Sequence, residues 1–227
     1  MSDYSGTENL EVMADAVKYN KFLVSLIQRE VKPGALVVDF GAGIGTFAQK
    51  VAMAGNQVHC IEPDQRQLER IVALGLPASR NIIDFENGSI DLLYTLNVLE
   101  HIENDVEVLA DCYQKIKPGG HILIYVPAFQ VLYSSMDKKV GHIRRYTRAT
   151  LAEKVSMAGF VVVKNEYVDS AGFFASLLFK ALGNDSGAIN RDALILYDRY
   201  IFPLSRMADF VCNKLFGKNV FLIARRP

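Results

Sequence analysis

The chain has 227 residues, enough for one domain with a proper core, and its 50% hydrophobic and 22% charged residues are typical of a globular protein. A formal net charge of +0 provides no global attraction to nucleic acid or to an anionic membrane, so we expect no nucleic-acid partner. Three scattered cysteines, no apolar signal core and no apolar run of about 20 residues predict a cytoplasmic chain without a transmembrane segment or a metal site.

The first predicted element is an amphipathic helix over residues 8–30. Apolar residues recur there at three- and four-residue spacing, and Pro33 and Gly34 follow as stop signals. Tyr19 lies within this helix, either as a packing residue or facing a ligand.

A glycine-rich turn follows the first predicted strand, Leu36–Phe40. Gly41, Gly43 and Gly45 occupy alternate positions before a helix-compatible stretch. Glycine permits positive φ and close approach of the backbone to a ligand, and a helix start presents unpaired N–H groups. We therefore expect the turn to hold a small polar molecule, although the pattern also fits a turn with no ligand.

An acid, Asp39, ends that strand and narrows the class of ligand. It would repel a pyrophosphate, and the last glycine is one residue closer than in a dinucleotide-binding fingerprint. A Walker loop is excluded, because the chain contains no Lys-Ser or Lys-Thr pair. A ligand with a cationic amine or a sulfonium suits Asp39 better.

A second acid ends the second predicted strand, Val58–Ile61. Glu62 lies about 20 residues past the glycines, where a nucleotide-binding fold places a carboxylate on the ribose hydroxyls. Glu62 could instead begin the next helix, but Asp64 already suits the cap position.

The fourth predicted strand, Ile90–Tyr94, leads into a polar segment at the edge where open α/β sheets bind ligands. His101 in this segment can accept a proton from a nucleophile at neutral pH. Alternatively, Glu100 and His101 only fix the start of the next helix. Weak strand character over Ala78–Ile83 and an apolar run over His121–Val126 complete this half of the sheet.

The long segment 127–147 is predicted to be a basic substrate loop, because connections of this length are usually functional. Its paired arginines suit bidentate contacts to a carboxylate or phosphate, and His142 is a second candidate base. The competing interpretation is an ordinary solvated basic loop. Its candidate substrate-binding residues are Tyr133, Arg144, Arg145 and Tyr146.

Residues 170–216 are unusually apolar and are predicted to form a helical insertion between two last strands, Phe160–Val163 and Lys218–Arg225. The insertion could belong to the core, cap a substrate pocket, form a dimer face or lie on a membrane surface.

Several of these segments resemble class I S-adenosylmethionine-dependent methyltransferases. The resemblance lies in Asp39–Gly45, in Leu99-Glu100-His101 and in the Lys-Pro-Gly-Gly turn at 117–120, and residues 141–147 resemble one subset of that family. It implies a single α/β domain over 1–227, with a Rossmann-like seven-stranded sheet of order 3-2-1-4-5-7-6, an antiparallel last strand and helices on both faces. Residues 8–30 would then form a helix that covers the cofactor.

The resemblance also implies a function. We expect methyl transfer from S-adenosylmethionine, with S-adenosylhomocysteine as product, to an O or N nucleophile of a small acceptor that is anionic or linked to a lipid or sugar. His101 and His142 are the expected catalytic residues. The expected cofactor-binding residues are Tyr19, Asp39, Gly41, Ala42, Gly43, Gly45, Glu62, Pro63, Asn81, Asn97, Val98 and Leu99.

Two rival functions stay open at this point, a nicotinamide-dependent oxidoreductase and a non-catalytic cofactor-binding module. The expected partner is a small-molecule methyl acceptor. Peripheral membrane contact through the apolar helices and a monomer or homodimer are further expectations.

Overall fold

A computed structural model of the chain describes residues 11–181 and 190–227. The first residues of the predicted N-terminal helix, 8–10, and residues 182–189 of the predicted insertion lie outside this part. The strands are β1 Leu36–Phe40, β2 Gln57–Ile61, β3 Ala78–Ser79, β4 Ile90–Leu96, β5 Ile116–Pro127, β6 Val161–Val168 and β7 Asn219–Arg225. The helices of the described part include α1 Val17–Glu30, α2 Thr46–Met53, α3 Gln65–Ala73, α4 Asp105–Lys115, α5 Ser135–Val140, α6 Arg148–Met157, α7 Ser170–Ala181, α8 Arg191–Leu196 and α9 Phe202–Cys212.

The seven strands form one sheet in the order β3-β2-β1-β4-β5-β7-β6, which confirms the predicted topology. β1 pairs in parallel with β2 and β4, whereas β7 runs antiparallel to both β5 and β6. The last strand therefore slots between its two neighbours in reverse direction, as expected.

Both faces of the sheet are buried, because alternate side chains of each central strand contribute to different cores. Val38 packs with Leu93 beneath α4 and α6, whereas Val37 packs with Leu92 beneath α1 and α2. Continuous burial on two faces explains why β1 begins with the unbroken apolar run Leu36-Val37-Val38 rather than with alternating polar residues.

Helix α1 begins at Val17, and residues 11–13, at the edge of the described part, are also helical, so the predicted helix over 8–30 is interrupted between residues 13 and 17. The residue before α1, Ala16, provides no side-chain cap. Instead, the carboxylate of Asp198 accepts hydrogen bonds from the N–H groups of Lys18 and Tyr19 at 2.9 and 2.8 Å. A cap supplied from 180 residues away leaves no local sequence signal.

The third strand is shorter than predicted, since Ile82–Asp84 forms a 3-10 turn instead of continuing it. The fifth is longer, because it begins at Ile116 and takes in the Lys-Pro-Gly-Gly segment.

Three buried carboxylates attach the C-terminal helices to the sheet and to α1. Asp169, directly after β6, accepts from Tyr197 and Ser205 of the helices at 2.5 and 2.7 Å. Asp209 of α9 accepts from the N–H groups of Asp169 and Ser170, and Asp198 caps α1 as described. No helix in 11–181 or 190–227 has the length and apolar character needed to cross a membrane.

Candidate functional site

A cleft of about 1220 Å³ opens at the carboxyl ends of β1, β2 and β4. Parallel strands end at the same edge of the sheet, so the turns that follow them converge there. The cleft runs from the glycine turn and Glu62 to a second group of side chains around His101 and His142.

The glycine turn is shaped by positive φ at Gly41, Gly43 and Gly45, with values of 78°, 56° and 80°. A Cβ on Gly41 would lie 2.4 Å from Cγ2 of Val98. Only glycine therefore allows the turn to pack this closely against the segment after β4.

Glu62 lies in the cleft and braces this turn. Its carboxylate accepts hydrogen bonds from the N–H groups of Gly43 at 2.8 Å and Asp64 at 3.0 Å, and the residue is 7% exposed. Burial raises the pKa of Glu62. Asp64, not Glu62, caps α3 by accepting from the Gln67 N–H at 3.0 Å. Glu62 is thus available to the cleft, as the cap argument predicted.

Asp39 is buried at the end of β1 and accepts a hydrogen bond from the hydroxyl of Tyr94 at 2.9 Å. Burial raises the pKa of Asp39 to about 7, with a further contribution from the nearby charge of Glu62. A carboxyl group in this state changes charge near neutral pH, and a bound cation would favour its ionised form.

The remaining predicted cofactor residues divide into two groups. Those that line the cleft are Tyr19, Ala42, Pro63, Asn81, Asn97 and Val98. Gly45 and Leu99 do not line it, which corrects the expectation for both. A Cβ on Gly45 would meet Leu74 at 3.1 Å, so this position packs against α3 and its end, and the Leu99 side chain is buried in the core.

The other end of the cleft carries a cluster formed by Glu100, His101 and His142. The 3-10 turn Leu99–His101 supplies the first two. His142 follows Gly141, whose φ of 81° ends α5. The N–H of Ile143 donates to the Glu100 carbonyl at 2.8 Å and holds the two segments together.

Each imidazole in this cluster has a different environment. His142 Nδ1 lies 2.7 Å from Oδ1 of Asp137, and its Nε2 lies 3.6 Å from Oε1 of Glu100. Burial lowers the pKa of His101 to about 4, with a smaller effect from His142, so His101 is neutral at pH 7. Burial also raises the pKa of Glu100 to about 8. The cluster therefore combines neutral imidazole nitrogen with a carboxyl group that can hold or release a proton.

The basic loop differs most from its prediction, because its arginines are already paired with acids. Arg145 lines the cleft, but its guanidinium binds Asp137 through two contacts of 2.9 and 3.0 Å. Arg144 lies outside the cleft and pairs with Asp105 at 2.9 Å. The expectation of an arginine pair that binds an anionic substrate is not met.

The two tyrosines of the loop are structural as well. Tyr146 is buried, and its hydroxyl lies within hydrogen-bond distance of two acceptors, Asp105 at 2.8 Å and the Leu99 carbonyl at 3.0 Å. The Tyr133 hydroxyl donates to the carbonyl of His142 at 2.7 Å, so it supports the cluster without lining the cleft.

Several residues around the histidine end of the cleft were not predicted from the sequence. Its apolar wall comes from Ile102, Met136 and Val140. Lys218, just before β7, also lines it, and burial lowers the pKa of its ammonium group. No local motif marks these side chains, because they come from three separate segments of the chain, with only Met136 and Val140 sharing helix α5.

Comparisons with known proteins agree with this geometry. A protein-family model described as a methyltransferase domain matches residues 15–165. The ubiquinone biosynthesis O-methyltransferase of Burkholderia thailandensis is 30% identical over 155 residues, which cover 58% of this chain and 67% of that protein. Phosphoethanolamine N-methyltransferase 2 of Caenorhabditis elegans is 30% identical over 107 residues, 42% of this chain and 24% of that protein. Other curated relatives are matched over only 40–42% of their own length.

Solved structures share the fold at lower identity. One is a methyltransferase in complex with the Haloferax volcanii Trm112 methyltransferase activator, with a TM-score of 0.68, 14% identity and coverage of 100% of this chain and 99% of that chain. Another is Haemonchus contortus phosphoethanolamine N-methyltransferase 2 in complex with S-adenosyl-L-methionine, with a TM-score of 0.61, 21% identity and coverage of 89% and 51%. At these identities the likeness establishes the fold alone.

Proposed function

The chain belongs to the methyltransferase-domain family, and we propose that it transfers a methyl group from S-adenosylmethionine to an O or N nucleophile. The main support for this proposal is the hydrogen bond between the glycine turn and Glu62. The Gly43 N–H and the Glu62 carboxylate lie together at one end of a cleft large enough for a nucleoside and an acceptor.

The cleft residues fit the parts of this cofactor. Asp39 suits its cationic amino-acid end, and the Glu62 carboxylate suits the two vicinal ribose hydroxyls, because a carboxylate oxygen accepts but never donates. The exposed backbone of the turn fits close approach, since glycine leaves no Cβ in the way. When bound, S-adenosylmethionine supplies an electrophilic methyl group on its sulfonium.

The acceptor would lie at the opposite end, against Ile102, Met136 and Val140. His101 and His142 would take up the proton that a hydroxyl or amine loses during attack. Holding the two reactants in one orientation can contribute about 7–11 kcal/mol to lowering the barrier.

The acceptor class is inferred from the C-terminal helices. Phe210 and Val211 on α9 are 87% and 81% exposed. Phe174 and Leu178 on α7 are also exposed, and Lys180 and Lys214 follow these positions closely in sequence. Several exposed apolar side chains with lysines nearby in sequence are a feature of helices that contact membrane surfaces, which favours a lipid-linked acceptor. We do not propose an anionic acceptor, because Arg144 and Arg145 already form ion pairs with Asp105 and Asp137.

Binding and labelling experiments test this function. We expect S-adenosylhomocysteine to raise the melting temperature and NAD to leave it unchanged. We also expect label from [methyl-³H]S-adenosylmethionine to enter the organic phase of a cell extract incubated with the protein. NAD binding alone would reject the proposal in favour of an oxidoreductase. Cofactor binding with no labelled product from organic or aqueous fractions would indicate a non-catalytic module.

The pKa of Asp39 gives a prediction for pH dependence. The carboxyl is protonated below its pKa of about 7, and only the ionised form attracts the cofactor amine. We therefore expect the affinity for S-adenosylhomocysteine to be constant above neutral pH and to fall by about 30-fold at about pH 5.5, following a one-proton equilibrium. Calorimetric titrations across this range measure the profile.

Asp39→Asn is the matched variant for that profile. It keeps the size of the side chain and an acceptor for the Tyr94 hydroxyl but removes the titration. Its affinity should be weak and independent of pH in the same range. A wild-type affinity that stays flat from about pH 5.5 to about pH 8 would contradict the role of Asp39.

A further inference from the structure

Glu100 is a buried carboxyl group that accepts no hydrogen bond from the described part of the chain. The residue is 0% exposed, and neither carboxylate oxygen has a hydrogen-bond partner among the residues that the structure describes. Burying such a group without a partner costs free energy, so each exception calls for a physical explanation.

His142 is oriented toward this carboxyl group. Its Nδ1 lies 2.7 Å from Asp137, which Arg145 holds in place through two contacts. The ionised Asp137 can only accept, so Nδ1 carries the proton and the lone pair of Nε2 faces Glu100 at 3.6 Å. A carboxylate behind a histidine in this way is the usual support of a metal-bound imidazole.

His101 completes the arrangement. Its ring centroid lies 4.7 Å from that of His142, and one ligand atom from each of Glu100, His101 and His142 lies within 4.8 Å of the others. Zinc-ligand bonds of about 2.0–2.2 Å at tetrahedral angles require separations of about 3.4 Å, so side-chain movements on the order of 1 Å would close the site. We propose that Glu100, His101 and His142 bind a divalent transition-metal ion at the acceptor end of the cleft.

The donor set selects the class of ion. Two imidazole nitrogens and one carboxylate oxygen suit Zn²⁺, Fe²⁺ or Co²⁺, whereas Mg²⁺ and Ca²⁺ prefer oxygen ligands throughout. Three protein ligands leave coordination positions open, and both histidines line the cleft, so those positions face the acceptor. No local motif predicts this site from sequence, because Glu100 and His101 lie more than 40 residues before His142.

The role of the ion rests on the proposed function. With the ion bound, His101 and His142 are ligands and no longer take up the proton. A hydroxyl of the acceptor that coordinates the ion then loses its proton to solvent more easily, because a divalent cation lowers the pKa of that hydroxyl. The oxygen then forms a bond to the methyl carbon while the C–S bond breaks and its electron pair stays on sulfur. The ion is neither oxidised nor reduced in this step.

Metal binding can be measured without any methyl acceptor. Tag-free protein is treated with a chelator, dialysed and titrated with Zn²⁺ by calorimetry and with Co²⁺ by visible absorption. We expect one site, and for Co²⁺ the absorption bands of a site with mixed nitrogen and oxygen ligands. Mg²⁺ should give no comparable signal.

Variants locate the site. Glu100→Gln and His142→Gln should each weaken Zn²⁺ binding by at least about 100-fold, and Asp137→Asn, behind His142, by about 10- to 100-fold. His121→Gln is the matched control, since His121 pairs with Glu30 at 2.9 Å and does not line the cleft. Circular dichroism and S-adenosylhomocysteine binding verify that each variant folds.

Two results would overturn the metal site. One is wild-type protein that binds S-adenosylhomocysteine but neither Zn²⁺ nor Co²⁺, which would reject the metal site and leave the proposed function intact. The other is Zn²⁺ binding that Glu100→Gln and His142→Gln leave unchanged, which would place the ion elsewhere. If His142→Gln unfolds the chain, Glu100→Gln alone tests the metal site. Its fold should be maintained, because Glu100 accepts no hydrogen bond among the described residues.

Discussion

Replacing Glu62 by glutamine is expected to weaken S-adenosylhomocysteine binding by at least about 100-fold. Two hydrogen bonds from ribose hydroxyls to a carboxylate contribute about 1.5–3 kcal/mol each, and an amide can accept through one oxygen only. The variant also presents an amide N–H₂ to one of the two N–H groups that the carboxylate now accepts from, Gly43 or Asp64. Isothermal titration calorimetry measures the change.

Glu69→Gln is the control for this variant. Glu69 lies on α3 close to Glu62 in sequence, but its carboxylate is exposed and accepts from the Gln65 side chain at 2.9 Å. The Glu69→Gln variant should therefore bind S-adenosylhomocysteine with the affinity of the wild type. If Glu62→Gln folds normally and keeps its affinity within about threefold, less than 1 kcal/mol, then Glu62 does not bind the ribose.

Replacing Gly41 by alanine is expected to reduce both the free energy of unfolding and cofactor affinity. The backbone there has a φ of 78°, which costs an alanine about 1–2 kcal/mol. The added Cβ would also lie 2.4 Å from Val98 Cγ2, and overpacking of this kind costs about 1–3 kcal/mol more. Because Val98 lines the cleft, its displacement should disturb the binding surface. Urea denaturation and nucleoside titration measure the two effects.

Gly34→Ala separates the two contributions. Gly34 has a φ of 75°, but a Cβ there would meet nothing within 4 Å. The Gly34→Ala variant should lose only the part of the free energy of unfolding that comes from backbone strain, and it should bind the cofactor normally. The double variant Gly41→Ala/Val98→Ala should recover the stability that the clash removes. Equal loss in Gly41→Ala and Gly34→Ala would show that close packing on Val98 is unimportant.

The sequence was most informative where a local pattern determines the structure. The individual strands and helices follow from their apolar patterns, and the position of Glu62 follows from its distance to the glycines. The order of the strands was expected from the resemblance to class I methyltransferases. The competing interpretation, in which Glu62 starts a helix, could be weighed from sequence alone, because capping by Asp64 is a local interaction within four residues.

Prediction failed where long-range partners determine the role of a residue. Arg144 resembles an anion-binding residue until Asp105, 39 positions earlier, is placed against it. Leu99 was assigned to the cofactor from its position beside Val98, but the tight 3-10 turn directs neighbouring side chains to opposite sides, one to the core and one to the cleft. No single-sequence pattern contains this information.

The capping of α1 by Asp198 has a mechanical consequence. Tyr19 reaches the cleft from the first turn of α1, whose N–H groups donate to Asp198 in the helical turn Tyr197–Ile201 between α8 and α9. These hydrogen bonds connect the wall of the cleft to the C-terminal helices. Moving α1 away from the cleft therefore requires breaking its two hydrogen bonds to Asp198. Because coupling between two sites is reciprocal, a surface that binds and stabilises the C-terminal helices should also stabilise the nucleoside-binding side of the cleft. A bound nucleoside should stabilise the helices by the same free energy.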